Sequence, residues 1–376
     1  MSVDSSRFPS DVYASRLARA ARLTSDAGLD ALLITPGPDL QYLIGSTASS
    51  FERLIALVVP ADGSTPSIVV PRLELAALGD SAAEDLSLTL VDWVDGVDPY
   101  ALVAAAVPAG SKTAVADAMP ALHFVPLATI FGTVPVLATD VLRQLRMIKD
   151  DAEIDALRRA GHAIDRVHAR MGEWLRVGRT EAQIAADIAT AIVEEGHTAP
   201  EFIIVGSGPH GADPHHEVSD RVVEAGDVVV VDIGGPVAPG YNSDSTRTYS
   251  LGEPSAEVAT RYAVLERAQQ AAVDAVSPGV SAESIDAAAR EVLVEAGLGE
   301  AFLHRTGHGI GLSVHEEPYI VAGNDITLTE GMAFSIEPGI YFRGQWGARI
   351  EDIVVVTADG CESVNLRPHG LAVLPV

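Results

Sequence analysis

A single cysteine, Cys361, stands in 376 residues. No intrachain disulfide can form, and thiolate ligation of a metal is not a theme of this chain. Cationic runs are missing too: 25 lysines and arginines face 52 aspartates and glutamates, a formal net charge of −27. That balance argues against nucleic acid and against an anionic membrane as partners, and it suits a solvated acidic surface. No apolar run reaches the roughly 18 residues of a membrane-spanning segment. The start, MSVDSSRFPSDVYASR, has no basic segment followed by an apolar one, so the expected location is cytoplasmic. Hydrophobic residues make up 48% of the chain, which runs against disorder and is enough to fill two cores.

What is present is a succession of elements punctuated by glycine and proline. Residues 10–27 mix apolar positions with arginines as an amphipathic helix does, and Gly28 ends it. A strand follows at 31–35, Pro36-Gly37-Pro38 breaks the chain, and 54–59 and 67–70 read as further strands. Helical stretches fall near 73–78 and 98–106. This alternation predicts a mixed α/β N-terminal domain ending near Ala138. The charged helical segment 140–151 puts the boundary near Lys149, so the expected domains are 1–140 and 141–376, in an α/β (α+β) fold. Thereafter Ile154, Leu157, Ile164, Met171 and Leu175 keep a helical period up to Gly178. Thr180 with Gln183 forms a capping box that opens a second helix, closed by Gly196 before a strand at 202–205.

The C-terminal part repeats itself. Gly178 and Gly196 bracket one helix and Gly279 and Gly297 another of the same span, each after a longer helix. EAGDVVVVDIGG sets Asp232 as far beyond Gly226 as TEGMAFSIEPGI sets Glu337 beyond Gly331. A pseudo-twofold arrangement of the two halves would bring Asp232 and Asp244 opposite Glu337 and Glu351. One shared site is therefore expected.

The centre of that site is the stretch 228–248, VVVVDIGGPVAPGYNSDSTRT. Its β-branched run reads as a strand buried on both faces, with Asp232 at its end. The glycines and prolines between Gly234 and Gly240 read as a wide turn that folds the chain back and sets Asp244 alongside Asp232. Two such carboxylates repel unless a cation lies between them; the plainer alternative is a turn aspartate and a strand-end aspartate in ordinary hydrogen bonds. Downstream, His304, His308 and His315 are interleaved with glycines, unlike a packed core. His215 occupies nearly the repeat position of His315, and both are expected to face the site. His162, His168 and His369 read as structural. Four carboxylates and a histidine make an oxygen-rich set suited to Mn²⁺, Co²⁺ or Zn²⁺. Their charge calls for two ions, about 3.5 to 4 Å apart and sharing a water acidified into a nucleophile. Hydrolysis of an amide or ester is the natural reaction.

The motifs DPHHEVSD, GYNSDSTRT, HRTGHGIG, SIEPGIY and ARIED, in that order, with DLQYLIG at 39–45, closely resemble those of the pita-bread metallopeptidases that include prolidase (Xaa-Pro dipeptidase) and aminopeptidase P. The resemblance implies that Asp232, Asp244, His308, Glu337 and Glu351 hold two divalent ions, Mn²⁺ first among them, with Asp244 and Glu351 bridging. It implies that His215 and His315 bind substrate or stabilise the tetrahedral intermediate. Glu337 doubles as the proton shuttle to the leaving proline nitrogen, His304 orients His308, and Arg349 neutralises or positions carboxylates. A homodimer and an N-terminal domain that limits substrate length follow from the same resemblance. The turn between Asp232 and Asp244 is one residue longer than is usual, and Tyr319 stands where many prolidases carry an arginine that helps hold the dipeptide carboxylate. The expected activity is an Xaa-Pro dipeptidase. An Xaa-Pro aminopeptidase acting on longer peptides is the alternative, ahead of a creatinase-like C–N hydrolase or an inactive binding protein.

Overall fold

The computed structural model describes residues 7–49 and 52–376; residues 1–6, the beginning of the segment MSVDSSRFPSDVYASR, lie outside the described residues. The chain divides into two compact units, Met1–Arg146 and Met147–Val376. Among the described residues no helix is long and apolar enough to cross a membrane.

In the first unit α1 (Ser10–Asp26) buries Tyr13, Leu17, Ala20 and Ala21 along one stripe, and Gly28 follows it with φ 70°. Next come β1 (Ala31–Ile34), α2 (Pro38–Ile44), β2 (Ala56–Pro60), β3 (Ser67–Pro71), β4 (Thr89–Trp93) and α3 (Pro99–Ala105). The unit is completed by β5 (Thr113–Val115), α4 (Ala121–Phe131), β6 (Val136–Leu137) and α5 (Thr139–Arg146). Pro36-Gly37-Pro38 does more than break the chain. Pro38 takes the first helical position of α2, where its fixed φ and missing N–H cost nothing. The stretch expected to be helical near 73–78 is a 3₁₀ segment, Arg72–Leu78. The six strands form one mixed sheet in the order β4-β3-β2-β1-β5-β6. Leu33, Val58, Val69, Trp93, Val103 and Leu127 share its core. The last helix belongs to this unit: Tyr42 Oη donates to the Leu145 carbonyl at 2.7 Å and Arg146 pairs with Asp39 at 2.7 Å.

The second unit opens with α6 (Asp151–Ala169), whose N-terminus is closed by a reciprocal capping box of Asp150 and Glu153. The helical period read up to Gly178 does not make one helix. α6 stops at Ala169 and a 3₁₀ turn, Met171–Glu173, follows; Met171 and Leu175 still enter the same core as Ile164. Then come α7 (Glu181–Glu194), with the Thr180–Gln183 box in place, β7 (Phe202–Ser207), β8 (Val228–Val237), β9 (Tyr241–Leu251), α8 (Ala256–Ala275) and α9 (Ala282–Glu295). The remaining elements are β10 (Gly307–Gly309), β11 (Glu316–Ile320), β12 (Ala333–Ile336), β13 (Gly339–Phe342), β14 (Trp346–Arg349), β15 (Asp352–Val356), β16 (Cys361–Ser363) and β17 (Ala372–Leu374).

The repeat is visible element by element. α7 and α9 each have 14 residues and follow helices of 19 and 20. One sheet runs β17-β9-β8-β7 and the other β11-β10-β12-β15-β16, so the antiparallel pairs β8–β9 and β12–β15 sit at corresponding places. Val229, Val231 and Ile233 turn one face of β8 to α6 and α7. Phe334, Ile336, Val354 and Val356 do the same toward α8 and α9. Because side chains alternate along a strand, the opposite faces are left for the polar residues of the site.

The wide turn expected between Gly234 and Gly240 is absent. β8 and β9 stay paired as far as Val237 and Tyr241, with Asp232 opposite Thr246 and Asp244 opposite Gly234. Asp232 and Asp244 are thus diagonal neighbours on one face, not facing partners. The glycines serve close packing: a Cβ on Gly234 would lie 2.3 Å from the Ser243 carbonyl oxygen on β9, and one on Gly235 2.4 Å from that of Ala199 in the loop before β7.

Candidate metal centre

Strand periodicity assembles the site. Asp232 on β8 and Asp244 with Thr246 on β9 project from the same face. Glu337 directly follows β12, Glu351 directly precedes β15, and His308 is the middle residue of β10. All five line one cavity of about 760 Å³, together with His215, His304, His315 and Arg349. Donor atoms of Asp244, His308 and Glu351 lie within 4.8 Å of one another. His308 Nε2 is 3.2 Å from Glu337 Oε1 and 3.6 Å from Asp244 Oδ2.

His308 is presented as a ligand would be. Its Nδ1 lies 3.1 Å from the carbonyl oxygen of Gly309. A carbonyl only accepts, so Nδ1 carries a proton, and Nε2, which faces the carboxylates, donates to Glu337 when it is protonated and offers its lone pair when a cation takes the proton's place. Gly307, beside it, has no room for a side chain, since a Cβ would fall 1.8 Å from the Ser335 carbonyl oxygen.

The electrostatics ask for a cation. Burial, then the charges of Asp232 and Glu337, push Asp244 well above the usual carboxylate range; burial and the charges of Asp244 and Glu337 do the same to Glu351. Burial opposes ionisation of Glu337 as well, but the hydrogen bond and charge of His308 bring it down to about 2. Asp232 Oδ1 is buried with no hydrogen-bond partner. An orphaned carboxylate oxygen is costly, and with neighbouring carboxylates and one imidazole lone pair it fits a hard or borderline divalent ion.

Arg349 is buried, not a solvated strand arginine. Its Nη2 meets Asp232 Oδ2 at 2.5 Å, its Nε donates to Thr246 Oγ1 at 3.0 Å and its Nη1 to Tyr341 Oη at 2.9 Å. Thr246 in turn donates to Glu351 Oε2 at 2.7 Å. One guanidinium thereby ties a carboxylate of the first half to one of the second.

The remaining histidines divide by what they touch. The His315 ring stands edge-on to His308 with centroids 4.1 Å apart; burial, then His308 and Arg305, lower its pKa to about 4, so it is neutral near pH 7. His215 is exposed on the cavity wall, and its ring makes no hydrogen bond among the described residues. His304, expected to orient His308, makes no hydrogen bond to it. Its Nδ1 lies 2.7 Å from the Arg305 carbonyl oxygen and its Nε2 2.8 Å from Tyr341 Oη, so both nitrogens are occupied, and the same Tyr341 hydroxyl accepts from Arg349. His168, by contrast, is structural, held between Tyr249 Oη and the Ser245 carbonyl.

Thr246 and Tyr341 are site residues that no motif of the sequence singles out. The signal for Thr246 was its two-residue offset from Asp244, which puts both on one strand face; nothing local marks Tyr341.

Buried carboxylates converging on an imidazole lone pair, between two half-domains of matching topology, define a metal-dependent hydrolase. The chain belongs to metallopeptidase family M24: that family's model matches residues 155–358, and the creatinase/prolidase N-terminal domain matches residues 16–148. It is 67% identical over 373 residues to the probable dipeptidase PepE of Mycobacterium tuberculosis, covering 99% of both chains. It is 34% identical to an Xaa-Pro dipeptidase of Lactobacillus delbrueckii subsp. lactis, covering 93% of this chain and 96% of that one. The crystal structure of dipeptidase PepE from Mycobacterium ulcerans superposes with a TM-score of 0.95 at 68% identity, covering 98% of this chain and 100% of that one. The mixed N-terminal domain and the pita-bread catalytic domain are therefore as the motifs implied, and the protein is a metallopeptidase.

Proposed function

We propose that the chain is an Xaa-Pro dipeptidase whose Asp232, Asp244, His308, Glu337 and Glu351 would hold two divalent ions. When bound, the ions supply Lewis acidity and an activated water. Glu337 would relay a proton from the attacking water to the proline nitrogen, which must be protonated to leave. His215 and His315 donate to the oxygen that gains charge at the scissile carbonyl, which requires them to keep an N–H directed into the cavity. Arg349 fixes Asp232 and, through Thr246, Glu351.

The observation that carries the dipeptide reading is Arg305. It lines the cavity, its guanidinium lies 4.4 Å from the centroid of the Tyr319 ring, and it makes no ion pair among the described residues. A planar guanidinium with free donors matches a carboxylate, and a dipeptide brings its own within one residue of the scissile bond. Tyr319 is thus the shelf for an arginine contributed from another position. Mn²⁺ is the ion assigned, on the preponderance of oxygen donors. A cytoplasmic location fits a chain with one cysteine, and a homodimer rests on the resemblance to the family alone.

The test is hydrolysis of Ala-Pro beside Ala-Pro-Ala by the Mn²⁺-loaded protein, with and without chelator, and by Asp244→Ala. Chelator-sensitive cleavage of Ala-Pro that disappears in the variant supports the reading. Preference for the tripeptide makes the protein an aminopeptidase, and full activity of Asp244→Ala would defeat the metal assignment.

A further inference from the structure

Outside the metal centre, one buried carboxylate gathers more hydrogen bonds than any group in the reaction needs. Glu181 is the first residue of α7 and is fully buried. It accepts from the Ser207 amide at 2.9 Å and hydroxyl at 2.6 Å, from the Ser219 amide at 3.2 Å and hydroxyl at 2.6 Å, and from His216 Nε2 at 2.8 Å. His210 Nδ1 completes the set at 3.1 Å. Glu181 with His210 and His216 has the composition of a metal site. A carboxylate has about four lone-pair positions, and these donors already fill them, so the cluster is an anchor and not an ion cage. Although burial opposes ionisation, the bonds from Ser207, Ser219 and His216 bring this carboxyl down to about 2. Its place in the first turn of a helix favours the anion as well.

What the anchor holds is the segment that carries His215. Ser207 ends β7 and Ser219 lies beyond His215, so one side chain pins the segment at both ends and at two points between. The outer side is braced by Arg221, which donates to Ser207 Oγ at 2.7 Å and pairs with Asp227 at 2.6 Å. The inner side lies against β14: a Cβ on Gly347 would sit 1.9 Å from the Gly211 carbonyl oxygen, and Arg349 Nη1 reaches the Pro214 carbonyl at 3.4 Å. His215 itself has no side-chain partner among the described residues, so the position of its ring is set by its backbone alone. A group that must meet developing charge cannot be displaced by an ångström without loss of rate.

We propose that Glu181 is a positioning residue for hydrolysis, acting through His215 by fixing the segment that presents it. This rests on the reading that His215 touches the substrate.

A double-mutant cycle with the Mn²⁺-loaded full chain and Ala-Pro tests it. Glu181→Gln keeps the shape of the side chain and removes its charge, so kcat should fall at least about tenfold with KM nearly unchanged, as one displaced group costs in geometry-dependent catalysis. In a His215→Ala background the same substitution should cost less than about twofold, because the group it positions is already gone. Equal losses in both backgrounds, or an unchanged kcat in Glu181→Gln, would overturn the proposal. If His215→Ala alone retains full activity, the reading of His215 fails instead, which separates the two. Should Glu181→Gln not fold, Ser219→Ala removes a single donor and is run through the same cycle, with Glu181→Asp as the variant expected to recover part of the rate.

Discussion

Arg349 Nη2 lies 2.5 Å from Asp232 Oδ2, while the other oxygen of that carboxylate is buried without a partner. The arginine neutralises the outer half of Asp232 and leaves the inner half for a cation. Replacing Arg349 with methionine should lower the stability of the chelator-treated protein by about 3–5 kcal/mol, the cost of leaving a buried charge alone. Divalent ions bind only the folded form, so they should restore more of the melting temperature in Arg349→Met than they add to the wild-type protein. Thermal unfolding of both proteins with and without Mn²⁺ decides it; equal increments in the two would show that Arg349 and the ion do not share Asp232.

Arg305 on its Tyr319 shelf makes a prediction about substrate ends. A charge-assisted hydrogen bond to a carboxylate contributes about 1.5–3 kcal/mol, so Arg305→Ala should raise KM for Ala-Pro by roughly 10- to 150-fold. Ala-Pro amide, which has no carboxylate, should be cleaved by the variant about as well as by the wild type. An equal loss on both substrates would mean that Arg305 supports the cavity wall instead of reading the carboxylate.

His168 supplies a pH dependence independent of the metal. Its ring is fully enclosed, and burial, then the charge of Arg247, depress its pKa to about 3. The carbonyl of Ser245 takes the proton on Nε2, so Nδ1 accepts from Tyr249 and the neutral ring is fully satisfied. In the unfolded chain the same histidine titrates near 6.5, so as pH falls below that value the unfolded state binds the proton first and stability declines until about pH 3. At pH 5 the loss from this residue should be roughly 2 kcal/mol relative to pH 7 and above. His168→Gln can donate to the same carbonyl and accept from the same hydroxyl without titrating. Denaturant midpoints at pH 7 and 5 should therefore differ less in the variant, and an unchanged difference would rule out His168 as the source. His197, lowered to about 4 by burial, adds a separate share that the variant keeps.

The residues that line the candidate site were legible because their chemistry is local: carboxylates that close an apolar run, histidines among glycines and a capping box can each be read from a few neighbouring positions, although Asp232, read at the end of its strand, lies inside β8. What was not legible depends on register. Gly234 and Gly235 read as a turn, since glycine marks turns and close backbone approach alike, and only the pairing of β8 with β9 tells which. The same limit hid Thr246 and Tyr341, whose roles come from Arg349 reaching across strands. Arg305 and Tyr319 meet because β10 and β11 pair with His308 opposite Tyr319, a fact no spacing within either strand contains. The 3₁₀ turn after α6 leaves no mark on the apolar period because it keeps Met171 and Leu175 turned to the same core that a continued helix would.

That register makes Gly234 a sensitive position. It lies directly opposite Asp244, and an added Cβ would meet the Ser243 carbonyl oxygen at 2.3 Å and the Phe202 ring at 2.7 Å. Neither neighbour is the free end of a flexible chain, so Gly234→Ala must push β9 away or turn Phe202, which lines the cavity. Overpacking of this kind costs about 1–3 kcal/mol in stability. Val229→Ala, on the face of β8 that packs against the helices, should destabilise by a comparable or larger amount through a cavity. The two should nonetheless part in activity at a temperature where both are folded: Val229→Ala keeps most of its kcat, while Gly234→Ala loses at least about tenfold because the carboxylate beside the insertion is moved. Denaturation curves and initial rates on one preparation of each variant are sufficient, and rates that simply follow stability in both would show that the glycine serves packing alone.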